Sequence, residues 1–296
     1  MPKIVSKEIL NDSIIKIDIC DKDIAHHAKP GQFAILRFGK MGERIPLTIH
    51  DVNGDNVAFI YQIVGKTTYL LSKLNVGDEI DDVCGPLGKP TNLDGIKKAI
   101  VIGGGAGSAI AYPLAKALNK NGANVTTILG FRNKELVILE KEFKEVSKLF
   151  ITTDDGSYGI KGLVTNVLKE LIDKEDYDAV FAIGPLIMMK FVADATKEKG
   201  IKTIVSMNPI MIDGTGMCGG CRLSVDGKIK FACVDGPDFD GHKVDFNEAI
   251  RRNTIYRDIE KHDYQEAKEH NCNLFKGVSN GWSCWNENPR PKRSHK

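Results

Sequence analysis

The stretch that decides the fold of this chain covers residues 98–108 and reads KAIVIGGGAGS. Its apolar run, which ends at Ile102, predicts a strand in a parallel sheet, because strands covered on both faces are apolar without alternation. A glycine-rich turn follows, and the residues after it predict a helix over 108–119. Such a turn lets a pyrophosphate approach both the backbone and the helix N-terminus. The stretch therefore predicts a nucleotide site, although a tight turn without a ligand would have the same pattern.

Strands and helices continue to alternate after this unit. The predicted strands cover 124–130, 148–152, 180–183 and 203–207, and the predicted helices cover 136–146, 163–172 and 187–199. This alternation is typical of a doubly wound α/β sheet, and we predict such a domain over 95–207. The loops after its strands contain Arg132, Asp155 and the pair Gly184-Pro185. We expect these loops to meet at the carboxyl edge of the sheet, where open α/β sheets bind ligands, although each loop alone is unremarkable.

The first 94 residues predict a small β-barrel. Short apolar runs alternate with turn sequences such as Asn53-Gly54-Asp55, at a spacing typical of an antiparallel barrel or sandwich. One helix, from Thr67 to Lys73, interrupts the strands. Arg44 and Thr48 begin one strand and suit a phosphate or a flavin, since a guanidinium binds phosphate oxygens and a hydroxyl donates a hydrogen bond. A solvated strand end is the alternative for this pair, and a simple helix cap is the alternative for Thr67.

Composition places the chain among ordinary globular proteins. It has 296 residues, 42% hydrophobic residues, 27% charged residues and a net charge of +2. This balance gives no reason to expect nucleic acid or a membrane as a partner. The sequence has neither a long apolar run nor a signal-like N-terminus, so we expect a cytoplasmic protein. An odd number of cysteines, seven, argues against a disulfide framework, and Cys20 and Cys84 are interpreted as buried apolar residues.

A cysteine cluster gives the most specific local signal. Asp213, Cys218 and Cys221 keep the x4 and x2 gaps of plant-type iron–sulfur loops, and Cys233 follows after eleven residues. An aspartate stands where the first cysteine is expected. The glycines between these residues let backbone N–H groups turn toward cluster sulfurs. The spacing therefore predicts a 2Fe–2S centre over 208–245, with structural zinc as the alternative.

In this order, the motifs of the chain resemble the ferredoxin–NADP reductase superfamily, and within it the electron-transfer subunits of dihydroorotate dehydrogenase. The resemblance is closer to the small subunits of NADH-dependent reduced ferredoxin:NADP oxidoreductases, also described as sulfide dehydrogenase subunits. It covers residues 1 to about 276 and is most specific from Asp213 to Cys221. Two departures stand out: Arg44 lies four residues before Thr48 instead of three, and Ile183 replaces a cysteine before Gly184-Pro185. Dihydroorotate-type subunits use four cysteines, so Asp213 favours the ferredoxin:NADP type.

The resemblance implies roles for particular residues. The expected FAD contacts are Arg44, Pro46, Leu47, Thr48, Ile63, Val64, Thr67, Thr68, Gly85 and Gly88. The expected NAD(H) contacts are Gly103, Gly104, Gly105, Ala106, Gly107, Arg132, Asp155, Gly184 and Pro185. Asp213, Cys218, Cys221 and Cys233 would ligate the 2Fe–2S cluster. No side chain is expected to act as a catalytic acid or base.

The implied function is electron transfer between NAD(H), FAD and the cluster, to or from a larger flavin and iron–sulfur subunit in an electron-bifurcating heterodimer. That partner would handle ferredoxin and NADP(H). One alternative is the electron-transfer subunit of a dihydroorotate dehydrogenase, and another is a zinc-stabilised nucleotide-binding regulator. Arg132 leaves the choice between NAD and NADP open, since an arginine there accommodates a 2′-phosphate. Residues 246–276 predict a charged helical extension, and 277–296 are set aside as a flexible or non-native tail.

Overall fold

Six antiparallel strands form the first sheet and fold into a barrel-like domain. The structure is a computed structural model that describes residues 1–39 and 42–269. Along the second strand, Ile15, Ile17 and Ile19 alternate into the barrel interior and are buried. The strands are β1 (Ile4–Asn11), β2 (Ile14–Cys20), β3 (Phe33–Arg37), β4 (Ile45–Asn53), β5 (Asn56–Gln62) and β6 (Asp82–Leu87), in the order β1-β2-β5-β4-β3-β6, with helices α1 (Lys22–His27) and α2 (Lys66–Leu71).

The second part is a largely parallel sheet covered by helices on both faces. Ile100 and Ile102 are buried on one face of its central strand, and Ala99 and Val101 on the other. Its elements are β7 (Lys98–Gly104), α3 (Gly107–Lys120), β8 (Asn124–Phe131), α4 (Glu140–Val146), β9 (Lys148–Thr153), β10 (Ile160–Lys161), α5 (Val164–Lys174), β11 (Ala179–Ile183), α6 (Leu186–Lys197) and β12 (Lys202–Ser206).

The third part contains the cysteines and shares the large sheet. Its elements are β13 (Arg222–Val225), β14 (Lys228–Phe231), α7 (Ala232–Asp235), β15 (Asp238–Asp240), α8 (Phe246–Arg252) and α9 (Arg257–Glu269). The strands β13 and β14 form a hairpin. The strand β15 pairs antiparallel with β12, so that the large sheet runs β10-β9-β8-β7-β11-β12-β15. The cysteine-containing segment is therefore fixed to the edge of the α/β domain.

The predicted fold class, a β-barrel followed by a doubly wound α/β domain and a small cysteine module, is confirmed. Two local predictions were wrong. The helix predicted over 136–146 begins at Glu140, because Leu139 has a φ of 59° and interrupts it. Cys20, the last residue of β2, is exposed, and Cys84, within β6, is half-buried because every residue of that strand is only partly covered. The segment 208–245 contains three short strands and the helix α7.

The helical extension is present as α8 and α9 up to Glu269, with a turn between them. The rest of that extension and the predicted tail, 270–296, lie outside the described residues. Among the residues that the structure describes, no helix has the length and apolar character needed to cross a lipid bilayer.

Candidate functional site

The nucleotide stretch lies at the switch point of the large sheet. From β7 the chain runs through α3 to β8 on one side, whereas β11 lies on the other side of β7. This arrangement opens a crevice at the carboxyl ends of the two central strands. The loop 103–107 and the pair Gly184-Pro185 flank that crevice. The structure thus brings together the two main elements of the predicted NAD(H) site.

Packing and ligand approach account for different glycines in this loop. A Cβ on Gly104 would lie 2.6 Å from Met188 Sδ, and one on Gly107 would lie 2.5 Å from the carbonyl oxygen of Ile183. These two glycines are therefore required by the contact between the two loops. Gly105 differs, since it has a φ of +55° and no atom within 4 Å of an added Cβ. At Gly105 the backbone turns left-handed beside open space, where a phosphate has room to approach.

Arg132 and Asp155 lie on neighbouring loops at the same edge of the sheet. The backbone N–H of Asp155 donates to the carbonyl of Arg132 at 3.3 Å, and both side chains are exposed. The Asp155 carboxylate accepts the backbone N–H of Ser157 at 2.9 Å. Hydrogen bonds from the Ser157 hydroxyl and backbone hold the pKa of Asp155 below its usual range. Asp155 therefore remains ionised and shapes its own loop, and Arg132 is an exposed cation on the neighbouring loop.

The barrel brings the start of β4 next to the start of α2. The Thr67 hydroxyl, which is buried, donates to the carboxylate of Glu43, the residue before Arg44. Thr68 has a different role, because its hydroxyl accepts the backbone N–H groups of Val64 and Gly65 at 3.0 and 3.1 Å. Thr68 thus caps the helix that Thr67 was considered to cap. The remaining candidates in this region, Pro46, Leu47, Thr48 and Ile63, are half-buried, and Val64 is exposed.

Arg44 turns away from α2 and toward the cysteine segment. Its Nη1 donates to the Asp82 carboxylate at 2.7 Å, and its Nε donates to the carbonyl of Ile212, also at 2.7 Å. Both partners lie outside β4, the strand that begins directly after Arg44. The guanidinium therefore connects the barrel to the residue immediately before Asp213.

Gly85 and Gly88 have packing reasons for being glycine. An added Cβ on Gly85 would lie 2.8 Å from Ala34 Cβ, and one on Gly88 would lie 2.9 Å from both Phe33 and Pro237. Lys89, the next residue, donates its N–H to the carbonyl of Gly236 at 2.7 Å. This part of the barrel therefore meets the cysteine module directly.

The four candidate metal ligands form two pairs. The Sγ atoms of Cys221 and Cys233 are 3.2 Å apart and buried. Asp213 lies beside Cys218, whose backbone N–H donates to its carboxylate at 2.8 Å. A hydrogen bond from the backbone N–H of Thr215 and those from Cys218 hold the pKa of Asp213 below its usual range. Asp213 is thus a carboxylate anion that retains lone pairs for a metal.

The pairwise arrangement fits a two-iron cluster better than one zinc ion. Because Zn–S bonds are about 2.3 Å long, two ligands of one zinc ion lie within about 4.6 Å of each other. Within 1–39 and 42–269, only His262, Asp263 and Glu266 place three candidate ligand atoms within 4.8 Å of one another. A 2Fe–2S cluster instead takes two protein ligands on each iron. The two pairs match that requirement.

The buried thiol pair is itself suited to a cationic centre. Burial, followed by the hydrogen bond to Cys221, raises the pKa of Cys233 to about 12. A thiol in such surroundings ionises when a metal neutralises the thiolate. The residues present therefore fit an iron–sulfur group.

His50 is a site-forming residue that the sequence did not reveal. A β-bulge between Ile49 and Asp51 turns it out of the β4–β5 ladder. Its Nδ1 then lies 2.8 Å from the carbonyl oxygen of Ala109, and its ring stacks on Tyr112 at 5.2 Å. Burial lowers the pKa of His50, so it is neutral and donates through Nδ1. His50 thereby joins the barrel to α3, the helix that follows the glycine loop.

Comparisons with known proteins identify the family. A protein of Thermotoga maritima, named dihydroorotate dehydrogenase B (NAD(+)) electron transfer subunit homolog, is 45% identical over 89% of this chain and 94% of its own length. The chain belongs to this family of electron transfer subunits. A probable dihydroorotate dehydrogenase B electron transfer subunit of Methanocaldococcus jannaschii is 39% identical over 81% of the chain and 90% of its own length.

Two further findings bear on the site. Residues 208–245 match the iron–sulfur cluster binding domain of dihydroorotate dehydrogenase B, which favours the iron–sulfur interpretation of the cysteine module over zinc. A solved structure of an NADH-dependent reduced ferredoxin-NADP oxidoreductase, described for flavin-based electron bifurcation, has a TM-score of 0.85 and 44% identity. That match covers 90% of this chain and 97% of the other. The chain is therefore an electron-transfer subunit with the ferredoxin reductase fold.

Proposed function

We propose that this chain is the NAD(H)-, FAD- and 2Fe–2S-binding subunit of a ferredoxin:NADP oxidoreductase complex. Its similarity to the solved NADH-dependent oxidoreductase over nearly the whole of both chains carries this proposal. Asp213 in the first ligand position supports it, because the resemblance implies a fourth cysteine at that position in dihydroorotate-type subunits. FAD, when bound, converts the two-electron chemistry of NAD(H) into single electrons, and the cluster carries them one at a time.

The NAD(H) pyrophosphate would bind at Gly105 and the N-terminus of α3. The open left-handed turn at Gly105 and the positive end of the helix dipole suit an anion. Gly184-Pro185 would bound the nicotinamide end of the crevice. Gly104 and Gly107 keep the two loops in contact, and Arg132 and Asp155 border the crevice at the adjacent edge.

FAD would bind along the start of β4 and beside α2. Pro46, Leu47 and Thr48 offer a half-buried strand with one hydroxyl. Ile63 and Val64 continue this surface, and Thr67 lies in the first turn of α2 with its hydroxyl hydrogen-bonded to Glu43. A flat ring system requires mostly apolar contacts with a few hydrogen-bond donors, which this surface supplies.

The cluster would be held by one carboxylate and three thiolates. Asp213 and Cys218 would bind one iron, and Cys221 and Cys233 the other. A carboxylate is a harder donor than a thiolate, so this ligand set changes the reduction potential of the cluster.

A larger redox subunit would dock over the exposed side of the cluster loop. Cys218 is exposed, and Met217 beside it is 88% exposed. Ile212 and Val234 add exposed apolar surface on the same loop and on α7. Exposed apolar groups around an electron-carrying centre are typical of a protein–protein contact. The partner would therefore receive or supply electrons at this surface.

Cofactor analysis of the anaerobically purified full chain tests the core of the proposal. We expect FAD, two irons per chain and no more than trace zinc. We also expect a flavin absorbance that NADH bleaches. Zinc in place of iron, with no flavin uptake, would contradict it. Activity measurements on the complex purified from the source cell then distinguish the two candidate functions. NADP(H)- and ferredoxin-linked activity would support this proposal, whereas dihydroorotate oxidation would support the activity in the relatives' names.

Substitutions at Asp213 test the ligand set. Asp213→Ala should lose most of the iron, whereas Asp213→Cys should retain it with a changed visible spectrum and potential. Asp226→Asn, an exposed acid in the hairpin turn of the same module, is the matched control and should change neither. Wild-type iron content and spectrum in Asp213→Ala would exclude the carboxylate as a ligand.

A further inference from the structure

We infer that Arg44 is a positioning residue that fixes the cluster loop to the flavin barrel, and that it does not serve as a phosphate ligand of FAD. The inference rests on the proposed function insofar as Asp213 and the three cysteines hold the cluster. It concerns what keeps those ligands in place relative to the barrel. The resemblance assigns Arg44 to FAD, so the two roles make opposite predictions.

The hydrogen bonds of Arg44 support the positioning role. Two of its nitrogens donate at 2.7 Å, one to Asp82 and one to the carbonyl of Ile212. The side chain is 27% exposed, so these bonds are partly shielded from water. Charge-assisted hydrogen bonds of this length are strong ones, and the two partners hold the guanidinium in one orientation. Asp82 lies on β6 of the barrel, whereas Ile212 directly precedes Asp213.

The position of Arg44 in the chain explains why it takes this direction. It lies four residues before Thr48, and Ile45 occupies the position three before. Ile45 begins β4 and packs against the barrel core. A residue that packs against the barrel therefore occupies the position where the phosphate-binding arginine is expected. Arg44, one residue before the strand, hydrogen-bonds to Asp82 and Ile212 instead.

A second contact joins the same two parts of the molecule. An added Cβ on Gly214 would lie 2.6 Å from Leu87 Cδ1 and 2.8 Å from Ile35 Cδ1. The backbone after Asp213 thus lies directly on β3 and β6. With Arg44 on Ile212 and the barrel surface under Gly214, Asp213 is held on both sides by the barrel.

Arginines of the cysteine module act on the other half of the loop. Arg222 donates to the carbonyl of Gly219 at 3.3 Å, and Arg252 donates to that of Gly220 at 3.4 Å. These longer bonds hold the turn between Cys218 and Cys221 from within the module. Arg44 differs because it reaches the loop from the barrel. Its loss should therefore loosen the Asp213 end of the ligand set.

Arg44→Gln, Arg44→Lys and a control variant, compared in the full chain, test the inference. Arg37→Gln is the matched control, because Arg37 lies 4.0 Å from the same Asp82 carboxylate but donates to Gly39 instead of the cluster loop. FAD content, iron content, the rate of iron release to a chelator and the electron paramagnetic resonance spectrum of the reduced cluster are measured for each. Wild-type protein serves as the reference for all four.

We expect Arg44→Gln to keep its FAD, to release iron about tenfold faster, as is typical when an outer-shell partner of a metal site is lost, and to show a shifted cluster spectrum. Arg44→Lys keeps the charge but not the fork of donors, so its release rate should be intermediate. If Arg44→Gln fails to fold, the FAD content and iron release of Arg44→Lys test the positioning role alone. Arg37→Gln should match wild type.

Loss of FAD from either Arg44 variant, or wild-type iron release and spectrum in both, would overturn the inference. Wild-type protein without iron or FAD would instead refute the proposed function itself. The two failures are therefore distinguishable in the same set of measurements.

Discussion

Replacing Gly214 with alanine should weaken the cluster module more than the same change at Gly227, in the hairpin turn of the module. Gly214 has a φ of +79°, and an added Cβ would lie 2.6 Å from Leu87 and 2.8 Å from Ile35. Two costs arise, because alanine disfavours the left-handed backbone and the methyl group overlaps side chains of the barrel. The second cost acts between the module and the barrel, so it should lift the loop that carries Asp213.

The magnitude follows from these two costs. A left-handed residue with a Cβ costs about 1–2 kcal/mol, and overpacking by one methyl group costs about 1–3 kcal/mol. Gly227 separates them, because it has a φ of +69° and no atom within 4 Å of an added Cβ. Gly227→Ala should therefore show the backbone cost alone. The reduced entropy of the unfolded chain favours both variants equally and cancels in the comparison.

Loss of cluster absorbance in urea is the suitable assay, since it reports on the module rather than on the whole chain. We expect Gly214→Ala to lose the cluster at lower urea than Gly227→Ala, by a difference of about 1–3 kcal/mol. Gly227→Ala should lose it somewhat earlier than wild type. Equal midpoints for the two variants would refute the contact between the cluster loop and the barrel.

Two predictions concern pH. Burial raises the pKa of Asp238 from 3.8 to about 6, so the native state binds the proton more tightly than the unfolded state does. The free energy of unfolding should therefore fall by about 3 kcal/mol as pH rises from about 4 to 6, at about 1.4 kcal/mol per pH unit. Asp238→Asn should remove this pH dependence of the urea midpoint, and an unchanged pH dependence would contradict the prediction. Burial lowers the pKa of His50 from 6.5, so the unfolded state binds the proton more tightly and the free energy of unfolding should fall as pH drops below about 6.5. In His50→Phe, the midpoint of thermal unfolding should depend less on pH in that range. If the pH dependence persists in this variant, it arises from other groups.

The α/β domain could be predicted because its signals are long and local. The run that ends at Ile102 is buried on both faces of the sheet, and a parallel sheet produces that pattern in sequence. The strand β15 could not be predicted, since three residues, Asp238–Asp240, give no periodicity. Its pairing with β12 is a tertiary contact. The hairpin of β13 and β14 could not be predicted for the same reason, because its strands have only four residues each.

Parts of the candidate site were predictable for the same reason. The spacing from Asp213 to Cys221 is local, whereas the 3.2 Å approach of Cys221 and Cys233 depends on the hairpin between them. His50 could not be found from its spacing, because a β-bulge directs it toward α3. The one signal in sequence is a polar residue directly after the buried Ile49. Arg44 was predicted to be an FAD contact, but its hydrogen-bond partners, Asp82 and Ile212, lie 38 and 168 positions away in the sequence, which no local pattern indicates.

The cysteine module is joined to both larger parts of the molecule, and this joint has a consequence for electron transfer. The strand β15 extends the sheet of the nucleotide domain, while Gly214 and the Ile212 carbonyl lie against the barrel. His50 and Ala109 join the barrel to α3 by a third contact. Each pair among the three parts is therefore fixed directly, without relying on the third. Rates of electron transfer depend on the separation of the centres, so a module held in this way keeps that separation constant, and variants that loosen one joint should alter electron transfer before they unfold the chain.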